Sequence, residues 1–181
     1  MYLPGLAATV SDEGRVMDNL CISTIGQDSH RFEDAAEGSY NIRLAGIDIP
    51  HTRPFSANSD GDVVLHAVTN AISGFTGVNI LGGIADTICL EQGIKDSAVY
   101  LEEALRYMPE GSGIIHCSIT IECLRPKLKD HIEDMKGSLA GLLGIPKASV
   151  GITATTGEGL TGQGRGEGVQ VFAILTFRKS V

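Results

Sequence analysis

The stretch Ser59-Asp60-Gly61-Asp62-Val63-Val64-Leu65-His66 opens the segment that organises the chain. Its serine and aspartates suit a helix N-terminus, where a side-chain oxygen caps free backbone N–H groups and negative charge meets the positive end of the dipole. The spacing predicts a helix running to about Ser73. Val64, Leu65, Val68 and Ile72 form its apolar side, which suits a core. Asp62, His66 and Asn70 recur at i, i+4 and i+8 and share one stripe. A stripe of Asp, His and Asn at the edge of a buried face is unusual for a plain surface helix.

Upstream, Leu20 to Ile25 reads as a strand ending at Gly26-Gln27-Asp28. Residues 40–49 read as a second strand, with Ile42, Leu44, Ile47 and Ile49 interrupted by Gly46, before Pro50 and Pro54 impose a loop. Downstream, residues 74–95 are glycine-rich with a short helix expected around 82–90. Asp96-Ser97 opens a helix to Met108, stopped by Pro109, and residues 114–124 alternate as a strand. Ile132, Met135, Leu139, Leu142 and Leu143 give a helix ended by Gly144. Two further strands, 149–155 and 168–178, flank a glycine-rich loop from Thr156 to Gly168. This order implies a single α+β domain over residues 19–181, with a mixed β-sheet and helices packed on one face. Residues 1–18 read as a flexible N-terminal arm.

The chain has 181 residues, 14 Lys and Arg against 22 Asp and Glu, and a formal net charge of −8. That balance argues against a general nucleic-acid binder, which carries a basic face. No Trp and only 5% aromatic residues argue against base-stacking platforms. No apolar run reaches the roughly 20 residues that span a bilayer. The first twenty residues lack a basic start and contain Asp12, Glu13 and Asp18, so the cytoplasm is the expected location. Cys21, Cys89, Cys117 and Cys123 form no C-x-x-C pair and read as reduced, mostly buried thiols.

Three segments carry candidate chemistry. Asp28 and His30 follow a strand at i and i+2 and point to one side if that geometry continues. With His66 they make an Asp-His-His set, and three protein ligands with one open position are what a catalytic zinc uses. Each half alone also fits hydrogen-bonded residues near the surface. Thr155-Thr156-Gly157-Glu158 offers hydroxyls, loop N–H groups and a carboxylate, suited either to phosphate with Mg²⁺ or Mn²⁺, or to a turn with its Thr side chains bonded to backbone. In Gly162-Gln163-Gly164-Arg165-Gly166-Glu167-Gly168 the glycines lead into a strand, so a Rossmann or P-loop reading fails. Arg165 there is either an anion contact or the partner of Glu167.

Taken in order, these segments resemble the 2-C-methyl-D-erythritol 2,4-cyclodiphosphate synthase family, of which the chain looks like a divergent member. The likeness runs from residue 25 to about 177. It rests on Gly26-Gln27-Asp28-Ser29-His30, Gly46-Ile47-Asp48-Ile49-Pro50, Ser59 through His66, Asp96-Ser97, Thr120 to Lys127, Ala154 to Glu158 and Gly164 to Gly168. The resemblance implies a CMP-releasing phosphorus–oxygen lyase of non-mevalonate isoprenoid biosynthesis, acting as a homotrimer with sites between subunits. It implies Zn²⁺ on Asp28, His30 and His66, and Mg²⁺ or Mn²⁺ near Glu158. It implies catalytic positions at Asn58 and Thr156, and phosphate contacts from Thr155 and Thr156. The cytidine would lie along Cys123, Pro126, Lys127 and Leu128. Ser59, Gly82, Asp86 and Gly162 fall at further substrate positions, with Asp28 and His30 shared between metal and substrate. Arg165 would face a central cavity that accepts an isoprenoid diphosphate.

The chain departs from the family pattern at several points. Asn58 stands where the family has His, and Asn70 where it has Asp. The diol-gripping Asp has no match in Asn79-Ile80-Leu81-Gly82, and the F-P-D-T-D segment becomes Ile84-Ala85-Asp86-Thr87-Ile88. Thr153 and Gly162 replace a Lys and a Phe. The missing Asp motivates one alternative, a non-catalytic trimeric paralogue that binds a nucleotide or isoprenoid diphosphate; the same Asp-His-His site also suits a second, a zinc phosphohydrolase.

Overall fold

A computed structural model describes residues 19–34 and 37–180; the proposed arm, residues 1–18, lies outside them. The strands are β1 (Asn19–Arg31), β2 (Tyr40–Leu44), β3 (Ile47–His51), β4 (Ser112–Glu122), β5 (Val150–Thr155) and β6 (Gly168–Ser180). The helices are α1 (Val63–Thr76), α2 (Gly83–Asp86) with a π-helical turn at Thr87–Glu91, α3 (Ser97–Arg106) and α4 (Ile132–Leu143). Four strands form a mixed sheet in the order β1-β6-β4-β5. β6 runs antiparallel to both β1 and β4, and β4 runs parallel to β5. Helix α1 lies on β1 and β6, α3 lies on α1, and α4 packs beside β5. The α+β class with helices on one face is therefore observed.

Two sequence expectations need correction. Residues 40–49 are not one strand but a separate hairpin, β2-β3, paired Ile42 to Ile49. The chain reverses at Ala45 and Gly46, whose φ angles are 56° and 79°. Positive φ at both central residues is the geometry of a tight hairpin turn that matches strand twist. Ala45 gave no warning, because a side-chain-bearing residue rarely adopts that conformation. Second, β1 does not stop at Gly26 but continues to Arg31. Gly26 is there for space. A Cβ on it would lie 2.0 Å from the Ala67 carbonyl oxygen and 2.4 Å from the Ala71 nitrogen, both in α1.

Helix α1 is buried on more sides than its stripe suggested: Val63 through Thr69 are all buried, as are Ala71 and Ile72. Its N-cap, Asp62, is fully buried and accepts four backbone N–H bonds. Val64 and Leu65 donate at 3.1 and 3.0 Å, and Ala45 and Gly46 of the hairpin turn donate at 2.8 and 2.6 Å. One carboxylate thus ties the helix start to the β2-β3 turn. Burial pushes its pKa up, opposed by the bonds from Gly46, Leu65 and Ala45. Thr24 of β1 adds a hydroxyl bond to the Ala71 carbonyl at 2.5 Å, and Asn70 donates to the Gln27 carbonyl at 3.1 Å.

The cysteine reading also needs adjustment. Cys117 and Cys123 are buried, and burial raises their thiol pKa values to about 12 and about 11. Cys21 is exposed because it falls on the uncovered side of the edge strand β1, and Cys89 is half-buried. Gly26→Ala is expected to destabilise the fold by at least about 2 kcal/mol, since backbone of α1 occupies the space for the new methyl. Urea unfolding checks this; wild-type stability in the variant would show that the helix can lift from the strand at no cost.

Candidate metal centre and substrate cleft

Beyond Gly26, the inward positions of β1 carry Asp28 and then His30. The same helix that rests on Gly26 turns His66 toward them, four residues after its cap. His66 Nδ1 lies 3.0 Å from Asp28 Oδ2 and 3.1 Å from His30 Nε2. Asp28 Oδ2 and His30 Nε2 are 3.9 Å apart. One donor atom from each residue therefore converges within 4.8 Å. The edge of Phe55 packs on His30, with ring centroids 5.8 Å apart, and Phe55 is itself stacked on Phe32.

Electrostatics prepare these groups to ligate. Burial alone would raise the Asp28 carboxyl, but the His66 hydrogen bond, the His30 charge and the Ser29 N–H outweigh it and lower the pKa. Burial lowers His30, with Asp28 pulling up and His66 pushing down, which favours a neutral ring with a free lone pair. A carboxylate and two imidazoles suit a borderline divalent ion. The donor set fits a resident metal.

The centre opens into a cavity of about 460 Å³. Asn58, Ser59, Gly82 and Asp86, all expected at substrate positions, line it, and Asn70 stands on its wall. Among the described residues neither Lys nor Arg lines it. A polyanion entering this cleft meets two carboxylates, so its charge must be balanced by metal ions or by another chain.

A second group of expected residues sits elsewhere. Cys123, Pro126, Lys127, Leu128, Thr155 and Thr156 line a separate hollow of about 320 Å³. The Cys123 N–H donates to the Thr155 carbonyl at 3.0 Å, joining the two segments that form it. Gly162 borders a third hollow together with Ser29 and His30. Glu158 is exposed in the turn after β5 with φ 49°, outside the Asp28–His30–His66 cluster. Arg165 donates to Glu167 at 3.0 Å, which is the ion-pair alternative.

The sequence reading missed several contributors. Ser97 is buried with its hydroxyl 2.9 Å from His66 Nε2, and it also bonds Asp60. Cys89 and Tyr100 join the cleft wall. Glu122 bonds the Thr161 hydroxyl of the glycine-rich loop. For Ser97 the only local signal was its place at a helix opening.

A one-sided mixed sheet with an open three-donor site between its edge strand and first helix defines an α+β protein with a candidate metal site. The model of the YgbB family matches residues 22–178, and the chain belongs to that family. The 2-C-methyl-D-erythritol 2,4-cyclodiphosphate synthase of Chlamydia abortus is 49% identical over 152 residues, 84% of this chain and 86% of the relative. That of Chlamydia muridarum is 50% identical over 152 residues, covering 84% and 85%. A solved structure of this synthase in a CDP-bound form aligns with TM-score 0.71 and 34% identity, over 85% of this chain and 98% of that one. The bifunctional IspDF from Campylobacter jejuni aligns with TM-score 0.78 and 28% identity, over 90% of this chain and 43% of that one.

His66→Ala is expected to remove stoichiometric metal, read by elemental analysis after gel filtration, because two donors cannot hold the ion that three do. Full metal content in the variant would contradict the assignment.

Proposed function

We propose that the chain converts 4-diphosphocytidyl-2-C-methyl-D-erythritol 2-phosphate to 2-C-methyl-D-erythritol 2,4-cyclodiphosphate and CMP. The observation that carries this reading is the Asp28–His30–His66 centre opening into a cleft that, among the described residues, no Lys or Arg lines, in a chain of this family. An oxygen of the 2-phosphate forms a bond to the β-phosphorus. The bond from that phosphorus to the bridging oxygen breaks, and CMP leaves with the oxygen. Such a displacement asks mainly for positioning and charge neutralisation.

The residues divide these tasks. Asp28, His30 and His66 would hold Zn²⁺, and Glu158 would hold Mg²⁺ or Mn²⁺. When bound, these ions neutralise the diphosphate and make its phosphorus more electrophilic. The Asn58 amide donates to a phosphoryl oxygen; unlike histidine, it does so without charge. Thr155 and Thr156 donate hydroxyls to phosphate. Pro126 and Leu128 give the base an apolar wall, while Lys127 supplies charge at the phosphate end. Asp86 offers the cleft's second carboxylate to the substrate diol.

The site is completed in a homotrimer. Two features support this. The metal cleft and the Lys127 hollow are separate within one chain. The sheet face opposite the helices also leaves Ile25, Phe172 and Ile174 exposed, at 62%, 39% and 45%. An apolar patch of neighbouring strands marks an interaction surface. An isoprenoid diphosphate in the central cavity would compete with Glu167 for Arg165. Among the described residues no helix is long and apolar enough to cross a membrane, and the reading places the reaction in the cytoplasm.

Incubation of the purified protein with zinc, Mg²⁺ and the substrate, followed by mass spectrometry, tests the reaction. Equal amounts of CMP and cyclic product are expected. A linear product carrying oxygen from solvent would point to the phosphohydrolase, and no product from zinc-loaded protein to the binding paralogue. Either contradicts the proposal.

A further inference from the structure

We infer that Ser97 and Asp60 form a proton-holding relay that fixes the tautomer of His66 and so presents its Nδ1 lone pair to the metal. The inference rests on the metal reading above and adds two positioning residues to it.

The donors and acceptors around Asp60 and Ser97 fix where each proton lies. Asp60 Oδ1 accepts from the Asp62 N–H at 3.1 Å. Asp60 Oδ2 accepts from the Ser97 N–H at 3.2 Å and faces Arg43 Nε at 3.5 Å. Both oxygens are therefore turned to donors or positive charge, and the carboxylate acts as acceptor throughout. Ser97 Oγ also contacts Asp60 Oδ1, so its single proton goes there. Its oxygen is left to accept at its other contact, His66 Nε2, 2.9 Å away. Nε2 then carries the ring proton. In the neutral ring Nδ1 is the lone-pair nitrogen, 3.0 Å from Asp28 Oδ2. A cation bridges that contact, a proton when Nδ1 donates to Asp28 and a metal ion in its place, and in both cases Nε2 keeps its own proton. The relay thus holds the ring in the one form that serves a metal.

Burial makes the relay consequential. Ser97 is fully buried and His66 is 7% exposed, so water does not readily replace a lost partner. Ser97 is also the first residue of α3, which packs on α1, so the docking of these helices sets the hydroxyl's position. Partners of this kind around metal-bound histidines tune affinity by about 10–100-fold when removed.

The test uses the full chain stripped of metal. Long-range proton–nitrogen NMR reads the His66 tautomer directly, and competition titration reads zinc affinity. Wild type is expected to show the proton on Nε2. Ser97→Ala should mix the tautomers and weaken zinc by about 10–100-fold. Asp60→Ala removes the acceptor of the Ser97 proton. Ser97 then turns its proton to His66, and the ring proton should move to Nδ1 with at least a tenfold loss of affinity. A purely structural role for either residue would not move the tautomer. Wild-type zinc affinity in Ser97→Ala, or an Nε2 without its proton in the metal-free wild type, overturns the relay. Failure of wild type to bind zinc overturns the metal reading beneath it, and the NMR measurement still reads the relay.

Discussion

The close approach of α1 to β1 at Gly26 is the constraint on which the site depends. A Cβ there would fall 2.0 Å from the helix's own backbone, so the helix rests directly on the strand where no side chain separates them. At that height His66 reaches Asp28 and His30, the next two inward positions of the strand. Lifting the helix by the thickness of a methyl group would open the 3.0 Å and 3.1 Å contacts that define the centre. The buried Asp62 carboxylate sets the helix start by gathering N–H groups from the hairpin turn as well as from the first turn of α1. Backbone packing therefore carries the geometry, and the ligands inherit it.

Charge explains the rest of the architecture. The protein is acidic overall, and among the described residues its cleft presents carboxylates and imidazoles but no fixed cation. Such a cleft is poor for a bare diphosphate and good for one that arrives with divalent ions. The cationic Lys127 lies in a different hollow of the chain. The proposed trimer resolves this separation by facing one copy's metal centre with another copy's base pocket. The open apolar face of the sheet gives the copies a surface on which to meet.

Much of this was legible in the sequence because the signals were local. The S-D-G-D start, the alternation of β4 and β6 and the Asp28–His30 spacing each depend on near neighbours in the chain. What stayed hidden depends on tertiary contact. Gly26 reads as a strand breaker until the helix that occupies its missing side chain is known. The reversal at Ala45 is held by a carboxylate 17 residues away, and no turn glycine at that position announced it. Ser97 looks like an ordinary residue at a helix opening, and only packing of α3 on α1 brings its hydroxyl to His66. The separation of Thr155 and Thr156 from the metal centre is likewise a property of the fold, not of spacing.

The central claim is that this centre holds zinc and that a neighbouring copy completes the site. A crystal grown with zinc and cytidine diphosphate, measured at the zinc absorption edge, tests both parts. The account predicts an anomalous peak bonded to Asp28 Oδ2, His30 Nε2 and His66 Nδ1. It also predicts a nucleotide whose diphosphate reaches that peak while its base lies against Pro126 and Leu128 of an adjacent copy. A peak elsewhere, or a nucleotide bound wholly within one chain, would contradict it.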